Sequence, residues 1–105
     1  MIIKKHELIR IIERLSKEIE LNCNDDMLID SEDYYWDIQS KQLYNPNEKP
    51  ELMLGQLSDD WNDLRRLLDK ENVSLSYDLK RLSSILHLLE FKLGSDWILQ
   101  DNDKI

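Results

Sequence analysis

Leucine recurs at every third or fourth position near the C-terminal end of the chain. The six leucines stand at positions 75, 79, 82, 86, 89 and 93, so the intervals alternate between four and three. Because an α-helix turns once in about 3.6 residues, this spacing places all six side chains on one stripe of a helix. Ile85 and Leu88 lie close enough to extend this stripe. The pattern predicts an amphipathic helix over residues 75–93 that buries its leucines against other helices. Such packing brings no reactive group with it, so it does not indicate an activity.

The same periodicity predicts a helix over about residues 4–21. Five apolar residues recur there at three- and four-residue steps with charged residues opposite: Leu8, Ile11, Ile12, Leu15 and Ile19. A third helix is predicted over about residues 58–71. Its first turn carries Ser58, whose hydroxyl is expected to cap the backbone N–H groups, followed by Asp59 and Asp60 at the positive end of the helix dipole.

The composition favours helix, since leucine and charged helix formers are abundant while the chain has one Val, one Phe and no Thr. We therefore expect an all-α fold, a small bundle of three main helices in a single domain over residues 1–105, with 100–105 as a frayed tail. The helix over residues 58–71 is reached through an irregular crossover over residues 24–56. Two alternatives stay open for it: an extra helix, or a short hairpin formed by Tyr34–Ile38 and Glu51–Gln56.

The charge of the chain bears on its partners. The formal net charge is −8 at pH 7, which repels nucleic acid and anionic membranes and attracts basic proteins. Cys23 is the single cysteine, so no internal disulfide is expected. The first residues include Lys4 and Lys5 rather than the apolar run of a signal peptide, and no stretch is long and apolar enough to span a bilayer. We expect a cytoplasmic protein.

Motifs for catalysis or metal binding are weak. The acidic run that includes Asp25 and Asp26 contains no glycine and does not fit a calcium-binding loop. Two glycines do not suffice for a phosphate-binding loop. Ser83 and Ser84 precede His87 at helical spacing, but the sequence offers no nucleophile elbow and no orienting acid beside them. We expect no catalytic residues, no metal ligands and no cofactor.

The densest aromatic cluster is Tyr34-Tyr35-Trp36, and acidic residues surround it. Tyr and Trp are enriched at binding hot spots, and flanking carboxylates steer basic partners. The candidate partner-binding residues are Asp30, Asp33, Tyr34, Tyr35, Trp36 and Asp37. The competing interpretation is that the rings pack against the bundle as core. Both interpretations hold if Tyr34 and Trp36 face inward while Tyr35 faces outward.

These observations favour a non-catalytic protein-binding or regulatory module. Its most concrete form is an acidic, immunity-like inhibitor that occludes a basic site on a partner protein. The alternative is a structural homo-oligomer, such as a homodimer, in which the leucine stripe packs against a second copy. A small metal-binding protein is the less favoured third hypothesis.

Overall fold

The computed structural model describes residues 1–29, 33–39, 43–47, 49, 51–69 and 71–93. Its elements within these ranges, in chain order, are helix α1 (Lys5–Asn22), strand β1 (Tyr34–Ile38), strand β2 (Leu52–Gln56), helix α2 (Leu57–Arg65), a 3-10 helix (Arg66–Asp69) and helix α3 (Leu75–Leu93). The fold is therefore mixed α and β, with three α-helices and a two-stranded sheet in the described residues. The prediction of an all-α fold is wrong.

The two strands arise where the crossover was predicted to be irregular. Tyr and Trp in β1 favour extended backbone, and the strand satisfies its backbone groups by pairing with β2. The pairing is antiparallel, with Tyr34 opposite Gln56 at one end and Ile38 opposite Leu52 at the other. Of the two alternatives for the crossover, the structure contains the strands, and β2 begins one residue later than expected.

The helices begin and end close to their predicted positions. α3 spans the predicted residues, and α1 is shifted by one residue at each end. α2 is shorter than predicted, because the chain tightens into the 3-10 helix after Arg65. Strand β2 passes directly into α2, with Gln56 the last residue of the strand and Leu57 the first of the helix.

The chain divides into two compact units. The first contains Met1–Ile29 and Phe91–Ile105, and the second contains Asp30–Glu90. The second unit therefore holds the sheet, α2, the 3-10 helix and most of α3. The single domain over residues 1–105 stays a prediction, and residues 100–105 lie outside the described residues.

Burial of apolar side chains is sparse in the described residues. The buried apolar residues there are Cys23 and Leu57. Helix α1 has no buried residue, and its apolar stripe, which includes Leu8 and Leu15, is exposed.

Helix α3 buries its predicted apolar stripe only in part. The half-buried positions of α3 are Arg81, Ser84, Ile85, Leu88 and Leu89. Leucines of the predicted stripe, including Leu79, Leu82 and Leu86, are exposed. The physical reason is that α3 is attached to the second unit through polar side chains on its other side, which are described below.

Candidate protein-binding site

Strand β1 carries the aromatic cluster and sets which ring faces which way. Side chains alternate along a strand, and directly opposed residues of an antiparallel pair share a face. One face therefore carries Tyr35, with Gly55 opposite, and the other carries Trp36, with Leu54 opposite. Tyr35 is half-buried, whereas Tyr34 and Trp36 are exposed. This is the reverse of the arrangement in which both interpretations of the aromatic cluster would hold.

Tyr35 is held in place by its hydroxyl and by its ring. The hydroxyl donates a hydrogen bond to Oδ2 of Asp60, at 2.6 Å, and the Ser84 hydroxyl donates to the same oxygen, at 2.7 Å. These contacts connect β1, α2 and α3 at one carboxylate. Burial raises the pKa of the Tyr35 phenol to about 12, and the hydrogen bond to Asp60 adds to the rise. Tyr35 is therefore a neutral donor with a structural role.

These contacts give Asp60 and Ser84 a structural role. The sequence predicted that Asp60 complements the dipole of its helix, and the structure adds a bond to each neighbouring element. Ser84, considered beside His87 as part of a nucleophile pair, has its hydroxyl within hydrogen-bond distance of the Asp60 carboxylate and of the carbonyl oxygen of Arg81. His87 is exposed. The arrangement fixes the sheet against two helices and supplies no activated nucleophile.

Asp33 caps helix α2 from outside the helix. One carboxylate oxygen accepts the Ser58 backbone N–H at 2.6 Å, and the other accepts the Ser58 hydroxyl at 2.5 Å and the Gln56 amide at 2.8 Å. The Asp33 carbonyl also accepts the N–H of Leu57, at 2.7 Å. The Ser58 hydroxyl, followed by the Gln56 amide, holds the pKa of the Asp33 carboxyl below its usual value. The prediction that Ser58 itself caps the helix is wrong, because its hydroxyl is the donor to Asp33.

Asp37 forms an ion pair with Lys80 of helix α3, with Nζ and Oδ2 separated by 2.6 Å. Two of the acidic residues predicted to meet a partner, Asp33 and Asp37, are thus engaged within the second unit. Asp30 lies outside the described residues. The carboxylates of Asp33 and Asp37 serve the fold, and the described side chains of the candidate site that face solvent are the rings of Tyr34 and Trp36.

The solvent side of the sheet carries four exposed side chains, which we call the outer sheet face: Tyr34, Trp36, Leu52 and Leu54. Trp36 is 71% exposed and lies directly opposite Leu54, which is 61% exposed. Leu52 and Leu54 were missed by sequence reasoning. The signal that identifies them is the pairing of β2 with the aromatic strand, which places them on the same side as Trp36.

A buried carboxylate joins the start of α3 to the 3-10 helix. Asp78 is 5% exposed and accepts hydrogen bonds from Arg66 at 2.6 Å, from Arg81 at 2.8 Å and from the Ser74 N–H at 2.9 Å. Burial acts to raise the pKa of Asp78, but the Ser74 N–H and the guanidinium groups of Arg81 and Arg66 outweigh it and hold the pKa below its usual value. All of these groups have partners, so the cluster serves the fold.

The described residues contain no group of three or more His, Cys, Asp or Glu side chains placed to hold a metal ion. Within the same ranges, no helix has the length and apolar character needed to cross a bilayer. Comparison of the chain with protein-family models, curated proteins and solved structures found no match. The function is therefore argued from the site itself.

Proposed function

We propose that this protein is a non-catalytic protein-binding module and that the outer sheet face is its contact surface. The observation that carries the proposal is the pairing of Trp36 with Leu54, two large apolar side chains that both stand mostly in solvent. Exposed apolar patches of this kind are typical of interaction sites. Trp and Tyr are also the residues most enriched among those that dominate binding energy.

The opposite side of the sheet supports this role by keeping the surface rigid. Tyr35 and Asp37, which alternate with the exposed rings, are fixed to Asp60 and Lys80 on the two helices. A surface that is already ordered loses little conformational entropy when it binds. The outer sheet face thus resembles a preformed patch rather than a segment that folds on contact.

The net charge of the protein indicates the class of its partner. With a formal net charge of −8, the protein attracts a basic partner over distances comparable to the Debye length. Since Asp33 and Asp37 are engaged internally, the negative charge acts through the field of the whole molecule and the apolar face supplies the contact. An acidic inhibitor that covers a basic site of another protein, in the cytoplasm, is the form of the proposal that this combination favours.

The test is quantitative affinity capture from the native lysate with the full chain and three variants. Trp36→Ala and Leu54→Ala remove the proposed contact, and Tyr44→Ala is the matched control because it truncates an exposed ring outside the outer sheet face. A specific partner is lost with the first two variants, is retained by the third, and binds more weakly as salt is raised. Circular dichroism verifies that each variant is folded. Recovery of the same proteins with all variants contradicts the proposal.

Charge reversal of Asp33 is unsuitable for this test. Its carboxylate accepts three hydrogen bonds at the start of α2, so a lost partner would report a damaged fold as readily as a damaged interface.

A further inference from the structure

We propose that the outer sheet face binds an arginine side chain of its basic partner between the side chains of Tyr34 and Trp36. This inference rests on the proposed function and deepens it, because it names the group that the surface recognises. We call the space between these two side chains the ring gap.

The geometry of strand β1 sets the width of the ring gap. Tyr34 and Trp36 are two positions apart, so their side chains leave the same face of the sheet. Two residues of a strand advance by roughly 6.7 Å, which is close to twice the van der Waals separation of about 3.5 Å between carbon atoms. Because side chains stand roughly perpendicular to a sheet, the ring gap has room for one flat group in contact with a ring on each side.

The ring gap is open to a ligand. Tyr34 is 57% exposed and Trp36 is 71% exposed. The N–H of Leu57 donates to the carbonyl of Asp33, so hydrogen-bonded pairs alternate along the register from that point. Trp36 and Leu54 are therefore a non-hydrogen-bonded pair, whose side chains lie close together. Leu54 flanks Trp36 across the sheet, whereas the ring gap lies along the strand.

The charge of the protein selects a cation among the flat groups. A net charge of −8 attracts cations and gives no advantage to a neutral amide or a neutral ring. A cation is also attracted to the electron-rich face of an aromatic ring. The carboxylates of Asp33 and Asp37 are bonded within the protein, so the rings supply the contact with the cation.

Arginine is the side chain that meets both conditions. Its guanidinium is planar, always charged and more weakly hydrated than an ammonium, and it stacks on aromatic faces. The lysine ammonium is compact and strongly hydrated, and it has no flat face with which to fill the ring gap. The partner therefore presents an arginine at the centre of its contact surface.

The test is a nuclear magnetic resonance titration of the ¹⁵N-labelled full chain with three peptides. Each is a glycine pentapeptide whose central residue is arginine, lysine or citrulline, a neutral group of nearly the same shape as arginine. The chain has three tryptophans, and Trp36→Phe identifies the indole N–H signal of Trp36. That signal should shift saturably with the arginine peptide. The arginine peptide should bind about fivefold more tightly than the citrulline peptide, since each ring contact contributes about two- to fivefold.

The lysine peptide should also bind more weakly than the arginine peptide. Equal binding of arginine and citrulline overturns recognition of the charge, and equal binding of arginine and lysine overturns recognition of the flat guanidinium. A Trp36 signal that does not move with the arginine peptide overturns the site. These comparisons use the wild-type chain and do not depend on the folding of a variant.

Substitutions separate the aromatic faces from their apolar area. Trp36→Leu and Tyr34→Leu keep an apolar side chain but remove a ring, so each should weaken binding of the arginine peptide about two- to fivefold, measured on the peptide's own side-chain signals. Tyr44→Leu is the control, because it removes an exposed ring outside the outer sheet face and should leave binding unchanged. Circular dichroism verifies the fold of each variant. Wild-type affinity in both Trp36→Leu and Tyr34→Leu overturns the proposal.

The outcomes distinguish this inference from the proposed function. If arginine and citrulline bind equally while affinity capture still depends on Trp36 and Leu54, the arginine site is wrong and the outer sheet face remains the contact surface. If capture is independent of both side chains, the proposed function fails, and this inference fails with it.

Discussion

Tyr35 and Gly55 lie opposite each other in the sheet, and the Tyr35 ring occupies the space that a side chain at position 55 would need. A Cβ atom placed on Gly55 would lie 2.6 Å from Cε1 of that ring, well inside van der Waals contact. The ring therefore packs against bare backbone, and this close approach accompanies the contact of its hydroxyl with Asp60. Several properties of the second unit depend on this pair.

Gly55→Ala should destabilise the protein by about 1–3 kcal/mol, the usual cost of overpacking a fitted site. The added methyl displaces the Tyr35 ring and with it the bond to Asp60. Urea unfolding followed by circular dichroism measures the change. In a Tyr35→Ala background the same substitution should cost much less, since the ring is gone. An equal cost in both backgrounds would show that the ring is not the obstacle.

One of the four tyrosines should ionise with a pKa of about 12 in a spectrophotometric titration of the folded protein. Because the folded-state pKa of Tyr35 is raised, its contribution to stability is complete below pH 10 and is lost as the pH rises toward 12. Tyr35→Phe should remove the late step, whereas Tyr44→Phe should retain it. A late step that survives in Tyr35→Phe would assign it to another phenol.

Asp33→Ala should lower the thermal midpoint more than Asp59→Ala does. Asp33 accepts the donors at the start of α2, whereas Asp59 is an exposed residue of the first turn. The folded-state pKa of Asp33 is lowered, so its contribution is complete above the pKa of the unfolded chain and is lost as the pH falls through the folded value. The thermal midpoints of Asp33→Ala and Asp59→Ala should therefore converge at low pH. Equal midpoints at neutral pH would exclude the cap.

Asp78→Asn should destabilise the protein strongly, because it leaves Arg66 and Arg81 beside a buried neutral amide. Asp63→Asn is the matched control, since Asp63 is an exposed partner of the same Arg81, at 3.4 Å, and should have little effect. Acid titration of stability should show the wild type losing its advantage over Asp78→Asn as the pH falls below the usual range of a carboxyl. Comparable losses from both substitutions at neutral pH would contradict a special role for Asp78.

The extent of α3 could be predicted from the sequence because the leucine periodicity is a local signal that no other element disturbs. The side by which α3 is attached could not be predicted in the same way. The attachment of α3 depends on Asp60, Arg66 and Asp37, which lie in other elements. Spacing shows which residues share a stripe of a helix. It does not show what lies against that stripe.

Which rings of β1 face inward could not be predicted from the sequence for a similar reason. Both faces of the strand carry an aromatic residue, so the alternation alone is ambiguous. Gly55 leaves space for the Tyr35 ring and so determines that this ring faces inward. Gly55 lies opposite Tyr35 only because of the register of the sheet. The cap of α2 was missed because Asp33 and Ser58 are 25 positions apart. Capping rules search for the acceptor beside the helix, and here it comes from the residue that precedes β1.

The direct passage of β2 into α2 makes chain length critical at that point. One residue inserted between Gln56 and Leu57 would turn α2 by about 100° and advance it by about 1.5 Å, which would carry Asp60 away from Tyr35. In any lineage that carries this chain, additions and deletions should therefore be absent from this junction. The position of α2 relative to the sheet therefore depends on the exact number of residues at this junction.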